Sequence, residues 1–383
     1  MINASAQEGL AAWRRLLRRE LLRLGVLVLA GAVTFAATRE LASANSAQRQ
    51  RDAAVWLRAG RQALEQGDTA GALDALRRAA HIDRSSRDVS MSLATALSAA
   101  GEVDQAESVL MALRAARPDD ADVQLQLARL EASRAAIGPA ARYYQDALDA
   151  LWAPELAPRS RAIRLEFIDL LLQHGERARA LSQALMFAAD LPGDARSMDQ
   201  AGRLFLAVGD ARRALDRFAA VLPSEPANPQ ALAGAGEAAF ELGQYADARR
   251  YLASAKSSDP RVRRLAAVAD AVVSADPLAA RLSRSERSER IRRLLAHAAE
   301  RFSLCSSGLP ASSERLRESV AAALSASLTP PRRASEEDQR GHIEDQLELA
   351  AQAETAASAC AAPDPLAEAV PIIARRHGLE QAP

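Results

Sequence analysis

The chain has 383 residues with 49 basic and 49 acidic side chains, so its formal net charge at pH 7 is zero. A partner gripped mainly through phosphates needs a basic footprint, so this balance argues against nucleic acid. Aromatic residues reach only 4%, glycine and proline are sparse, and no β-branched alternating runs occur, so an alanine-rich all-α fold is predicted.

Residues 1–23 form a basic lead carrying Arg14, Arg15, Arg18, Arg19 and Arg23, with Trp13, Leu16, Leu17 and Leu21 at helical spacing. That pattern suits an amphipathic segment lying on an inner leaflet. Residues 24–38 read "LGVLVLAGAVTFAAT", uncharged between Arg23 and Arg39. Fifteen helical residues reach about 22 Å, short of a hydrocarbon core of about 30 Å, so Leu21 and Leu22 extend the run while Arg23 snorkels. A single transmembrane helix is predicted. The alternative is a secretory signal cut near Thr34 to Ala36, releasing a periplasmic protein. The arginine excess before the span places the N-terminus in the cytoplasm and everything after Thr38 on the extracytoplasmic side of an inner (cytoplasmic) membrane. Residues 39–52 read as a linker.

Beyond it a spacing returns. Gly67, Gly101, Gly175, Gly209 and Gly243 are each followed five residues later by alanine, at Ala72, Ala106, Ala180, Ala214 and Ala248. Steps of 34 residues separate Gly67 from Gly101, Gly175 from Gly209, and Gly209 from Gly243. The 74 residues between Gly101 and Gly175 hold two units and six inserted residues, with Ala135 in the place of the missing glycine and Ala140 in register. Six units therefore fill 53–260. Pro118, Pro192, Pro226 and Pro260 close four of them. Glycine gives the left-handed stop of a helix, and proline ends the next one. The insertion is expected in "WAPELAPRS", Trp152 to Ser160, where Pro154 and Pro158 argue against a regular helix.

The first unit carries Trp56, Gly60, Gly67, Ala72, Leu76 and Ala79; the sixth carries Leu232, Gly236, Gly243, Tyr245, Ala248, Leu252, Ala255 and Pro260. This pattern resembles the tetratricopeptide repeat, a 34-residue helix-turn-helix unit. The resemblance implies a right-handed α-solenoid whose concave surface holds protein partners or peptide segments. It also implies that the fifth and ninth positions of each first helix form the walls. Those are Leu57, Met91, Leu125 and Leu165, with Arg61, Thr95, Arg129 and Arg203. An apolar stripe beside arginines suits a segment with apolar anchors and some acidic character. The same residues also suit packing inside the array and a solvated charged face. The lysine and asparagine clamp of the chaperone-binding subgroup is missing from the matching positions, so that activity is not implied.

Residues 261–383 are expected to form a small helical domain. Val262 to Ala275 continues as a helix, Asp276 and Pro277 begin a short one, and Ser283 with Glu286 form a capping box. Further helices are expected over 312–328, 335–360 and 365–376, with a turn at Thr329 to Ser335. Cys305 and Cys360, the only cysteines, fall at the ends of two of these helices and are expected to form a disulfide in an oxidising compartment.

No glycine-rich phosphate loop, HExxH or CxxC occurs, and the five histidines stand singly. No catalytic residue, metal site or cofactor is therefore expected. The expected protein is a membrane-anchored scaffold or adaptor, in envelope assembly, secretion or translocon-associated chaperoning. An enzyme with an unrecognised site in the C-terminal domain is the competing possibility.

Overall fold

The computed structural model describes residues 3–151, 153–304, 311–325 and 335–379; of residues 3–28, 30, 42, 43, 46, 154 and 311–313 it describes the backbone alone. Every element among the described residues is a helix. The chain divides into two compact units, Met1–Phe167 and Ile168–Pro383.

Unit 1 contains α1 (Asn3–Glu65), α2 (Thr69–Ile82), α3 (Arg87–Ala99), α4 (Val103–Ala116), α5 (Ala121–Ser133), α6 (Ile137–Asp149) and the start of α7 (Ala157–Gln173). The hairpins form where the spacing predicts. Gly67 and Gly101 sit at φ +75° and +77°, the left-handed region where a Cβ is penalised. Ala135, in the slot that lacks its glycine, is held there too, at φ +56°. Asp68, Ser86 and Asp120 then accept backbone N–H groups at the starts of α2, α3 and α5.

Two expectations change here. The linker assigned to residues 39–52 is instead helix, because α1 runs unbroken from Asn3 to Glu65; no glycine or proline interrupts 32–59. In the insertion, Pro154–Leu156 form a 3-10 turn, but α7 already starts at Ala157. Pro158 falls in its first turn, where the missing N–H would have no helical acceptor.

Unit 2 holds the rest of α7, then α8 (Arg177–Ala189), α9 (Ala195–Val208), α10 (Ala211–Ala219), α11 (Pro229–Glu241), α12 (Tyr245–Ala255) and α13 (Pro260–Ala275). After them come α14 (Arg284–Ser303), α15 (Ala311–Ser325), α16 (Glu336–Ala357) and α17 (Pro365–Arg376). In five of the six hairpins a small residue on the first helix is matched by a large one sixteen residues later. A Cβ added at Gly60 would lie 2.5 Å from Leu76, one at Gly202 2.6 Å from the Phe218 ring, and one at Gly236 2.5 Å from Leu252. Ala94 with Leu110 and Ala128 with Tyr144 hold the same places, all buried. The fourth repeat inverts the sizes, with buried Ile168 on the first helix and buried Ala184 on the second.

The C-terminal helices share a core with the last repeat. Val268 and Val272 of α13 cluster with Ile291, Leu294, Leu347 and Val370, and half-buried Phe240 and Tyr245 pack against them. The boundary expected at 260 is thus bridged by apolar packing. Inside this bundle the Arg301 guanidinium donates to buried Glu354 at 2.7 Å and also reaches Asp364, the N-cap of α17. Asp276 does not start a helix. It caps the end of α13 and is 98% buried because its carboxylate accepts from Leu278 N at 2.8 Å and pairs with His377 at 3.1 Å. The capping box at Ser283 and Glu286 is formed. Cys360 is disulfide-bonded; Cys305, the other half of the expected pair, lies outside the described residues, as do 329–334 of the expected turn.

No helix of the described residues is long and apolar enough to cross a membrane. The side chains of 24–28, a third of the expected span, fall outside that description. Those that are described in the remainder, Leu29, Val33 and Phe35, are 66%, 60% and 69% exposed.

Candidate functional site

In unit 1 the first helices α1, α3 and α5 pack side by side. A fifth-position side chain is therefore wedged into the seam between neighbours. Leu57 and Met91 are half-buried against the core formed by residues such as Leu76, Leu97 and Leu127. Leu125 is only 8% exposed and offers a partner little surface, while Leu165 is half-buried.

The ninth-position residues follow a different rule: they bond across the seam to the sixth position of the next repeat. Arg61 Nε donates to Ser92 Oγ at 3.0 Å. Arg129, six inserted residues further apart from its target, donates two bonds to Glu166, both at 2.7 Å. The buried Tyr144 hydroxyl donates to the same carboxylate at 2.7 Å, and its ring stacks on Phe167 with centroids 4.9 Å apart. The Arg129 bonds, outweighing partial burial, hold the Glu166 carboxyl below its ordinary pKa; burial and that carboxylate push the Tyr144 hydroxyl up. Thr95 is too short to reach across and donates back to Met91 O at 3.0 Å. Glu166 and Tyr144 are not among the expected site residues; the step from the ninth position to the sixth position of the next repeat, 31 residues for Arg61 and 37 across the insertion for Arg129, is the signal that finds Glu166.

In unit 2 the same offset leads from Arg203 to Gly234, which has no side chain to offer. Arg203 turns back along its own helix and donates to Asp199 at 2.8 Å. The space left open is a cavity of about 230 Å³ lined by Arg203, Leu206, Phe218, Gly234, Glu237 and Arg261, among others. Its floor is Gly234, laid so closely over the buried Phe218 ring that a Cβ there would lie 2.4 Å from it. Glu237, the ninth-position residue of the sixth repeat, pairs with Arg261 from the first turn of α13. The opening is smaller than the ~300–1,000 Å³ of small-molecule pockets and suits one side chain of a peptide. Among the described residues no group of His, Cys, Asp or Glu is placed to hold a metal ion.

Helical hairpins repeated in register, with first-helix faces carrying arginines and one open seam, define a repeat module of the kind that presents surfaces to other chains. Two segments, residues 63–130 in unit 1 and 205–271 in unit 2, match the sequence model of the tetratricopeptide repeat. No curated protein matches the chain by sequence. Among solved structures, the TPR protein YrrB, described as having an unusual peptide-binding site, is 17% identical with a TM-score of 0.36 over 50% of this chain and 96% of its own. A Naa15/Naa10 structure bound to HypK-THB is 15% identical with a TM-score of 0.45, covering 79% of this chain and 47% of that one. Pseudomonas aeruginosa PilF is 17% identical with a TM-score of 0.30, covering 65% and 93%.

Proposed function

We propose that the protein is a membrane-anchored, non-enzymatic adaptor whose first-helix faces capture segments of partner proteins outside the cytoplasm. The observation that carries the capture reading is the open seam at Gly234 in unit 2, a side-chain-sized recess where the next first helix offers Arg203 no side chain. Tetratricopeptide repeats generally mediate protein and peptide interactions, which supports the class of partner. The process it serves, in envelope assembly, secretion or translocon-associated chaperoning, follows from the anchor and not from the recess.

The anchor reading rests on the apolar run 24–38 and on the exposure of Leu29, Val33 and Phe35, which no other part of the chain covers among the described residues. Leaving such side chains in water forfeits roughly 1.5–3 kcal/mol each relative to burial, and a bilayer supplies the apolar surroundings. Alkaline phosphatase fused after residue 60 should be active and should resist carbonate washing. An inactive fusion overturns the orientation, and a shortened, released product turns the anchor into a signal segment. Photo-crosslinking from position 233, beside Gly234, should trap recurring stoichiometric partners from membranes; labelling no stronger than from the opposite face of α12 overturns the capture reading.

A further inference from the structure

The recess between α11 and α13 already holds a cation of the chain's own. Arg261 reaches from the first turn of α13 to Glu237, and the two differ sharply in exposure: 73% for the Arg261 side chain and 21% for Glu237. The carboxylate belongs to the wall, whereas the guanidinium is a mobile-stemmed group lying mostly in water. Exposed pairs of this kind contribute little to stability, so the arginine is readily exchanged. The surrounding charge is lopsided. Arg203 is taken up by Asp199, Asp259 stands at the mouth as the N-cap of α13, and Glu241 follows Glu237 one turn along the same helix. Burial first, and then repulsion from Glu237, raises the Glu241 carboxyl pKa against the opposing pull of Arg261. Below them Gly234 covers the buried Phe218 ring, and the half-buried Leu206 and Val262 supply the apolar lining.

We propose that this recess receives an arginine or lysine side chain from an extended segment of a partner protein, its aliphatic stem on Gly234, Leu206 and Val262 and its cationic head on Glu237, in place of Arg261. The inference rests on the capture reading above and gives it a chemical preference, opposite to the acidic segment that the arginine row suggests from sequence. A carboxylate at the wall and an apolar flank of Leu206 and Val262 match both halves of such a side chain. Arg261 then acts as a stand-in that keeps Glu237 paired until a partner arrives.

Fluorescence anisotropy with the full-length protein in detergent and three labelled alanine-leucine peptides tests this. The peptides carry arginine, its uncharged isostere citrulline, or glutamate at the centre. The arginine peptide should bind about tenfold more tightly than the citrulline peptide, the difference a charge-assisted hydrogen bond makes. Arg261→Ala should tighten arginine binding, and Glu237→Gln should erase the preference while Glu237→Asp keeps part of it. Circular dichroism melting confirms that each variant is folded. Preference for the glutamate peptide, weaker binding in Arg261→Ala, an unchanged preference in Glu237→Gln, or no binding by any peptide overturns the inference. If crosslinking from position 233 still traps partners in that event, the capture reading stands without its cationic preference.

Discussion

The seams between neighbouring first helices in the two units differ at one register position. In unit 1 a ninth-position arginine finds an oxygen on the next helix, Ser92 for Arg61 and Glu166 for Arg129. In unit 2 Arg203 finds Gly234 and turns back to Asp199. At these three seams, closure depends on what stands at the sixth position of the next repeat. The three arginines that look like a uniform binding row are of two kinds. Two are rivets, and the third edges a recess.

The strongest challenge to this contrast is Phe218→Ala. The ring is fully buried beneath Gly202 and Gly234, so its loss should cost about 3–5 kcal/mol in the urea unfolding of unit 2. A cost below about 1 kcal/mol would mean that the ring beneath the recess is not core. Gly234→Glu places a carboxylate in the position that Glu166 holds in unit 1 and so tries to rivet the open seam. Its Cβ would crowd the Phe218 ring, so unit 2 should lose about 1–3 kcal/mol even if Arg203 gains a partner. A stabilised variant would show that glycine is needed there for the opening and not for packing.

Two carboxylates of unit 1 carry a pH signature. Asp120, which accepts two bonds from Arg87 at 2.6 Å, and Glu166, bonded by Arg129, both have carboxyl pKa values below their ordinary 3.8 and 4.5. Groups lowered on folding stabilise the fold fully above those ordinary values and lose that contribution as pH falls through the lower folded ones. Unit 1 should therefore weaken below about pH 4.5, and Glu166→Gln should flatten that acid limb while costing about 1 kcal/mol or less at neutral pH, since the pair is partly exposed. Thermal melts from pH 7 to pH 3 measure both. The smallest effect is a gain. Ala135→Gly relieves a non-glycine residue at φ +56° and should stabilise unit 1 by about 0.5–1 kcal/mol, the left-handed penalty less the added freedom of the unfolded chain. No gain would mean that the α5–α6 turn relaxes around alanine without strain.

Much of the fold is legible in the residues because it is local. A glycine at the stop, a small residue seven before it and a large one nine after it are set by the geometry of a single hairpin. Ala135 could be assigned to the left-handed slot from spacing alone. The insertion was harder, since Pro154 and Pro158 look alike in sequence, yet only the helix start at Ala157 tells which of them is tolerated inside a helix. Asp276 misled for the same reason. An Asp-Pro pair reads as a helix start, but His377, 101 residues away, claims the carboxylate.

The sequence by itself determined the repeat period, the helical hairpins and the candidate wall positions, because each depends on residues within one 34-residue unit. Only the tertiary structure decided which wall residues are free. Whether Arg129 is riveted, Leu125 buried or Arg203 left beside a recess depends on the side chain that a neighbouring helix presents. That pairing is a contact between repeats, which no pattern within one repeat contains. Stacking also carries the core of the last repeat into the C-terminal helices, where Phe240 and Tyr245 meet the cluster around Ile291 and Val370.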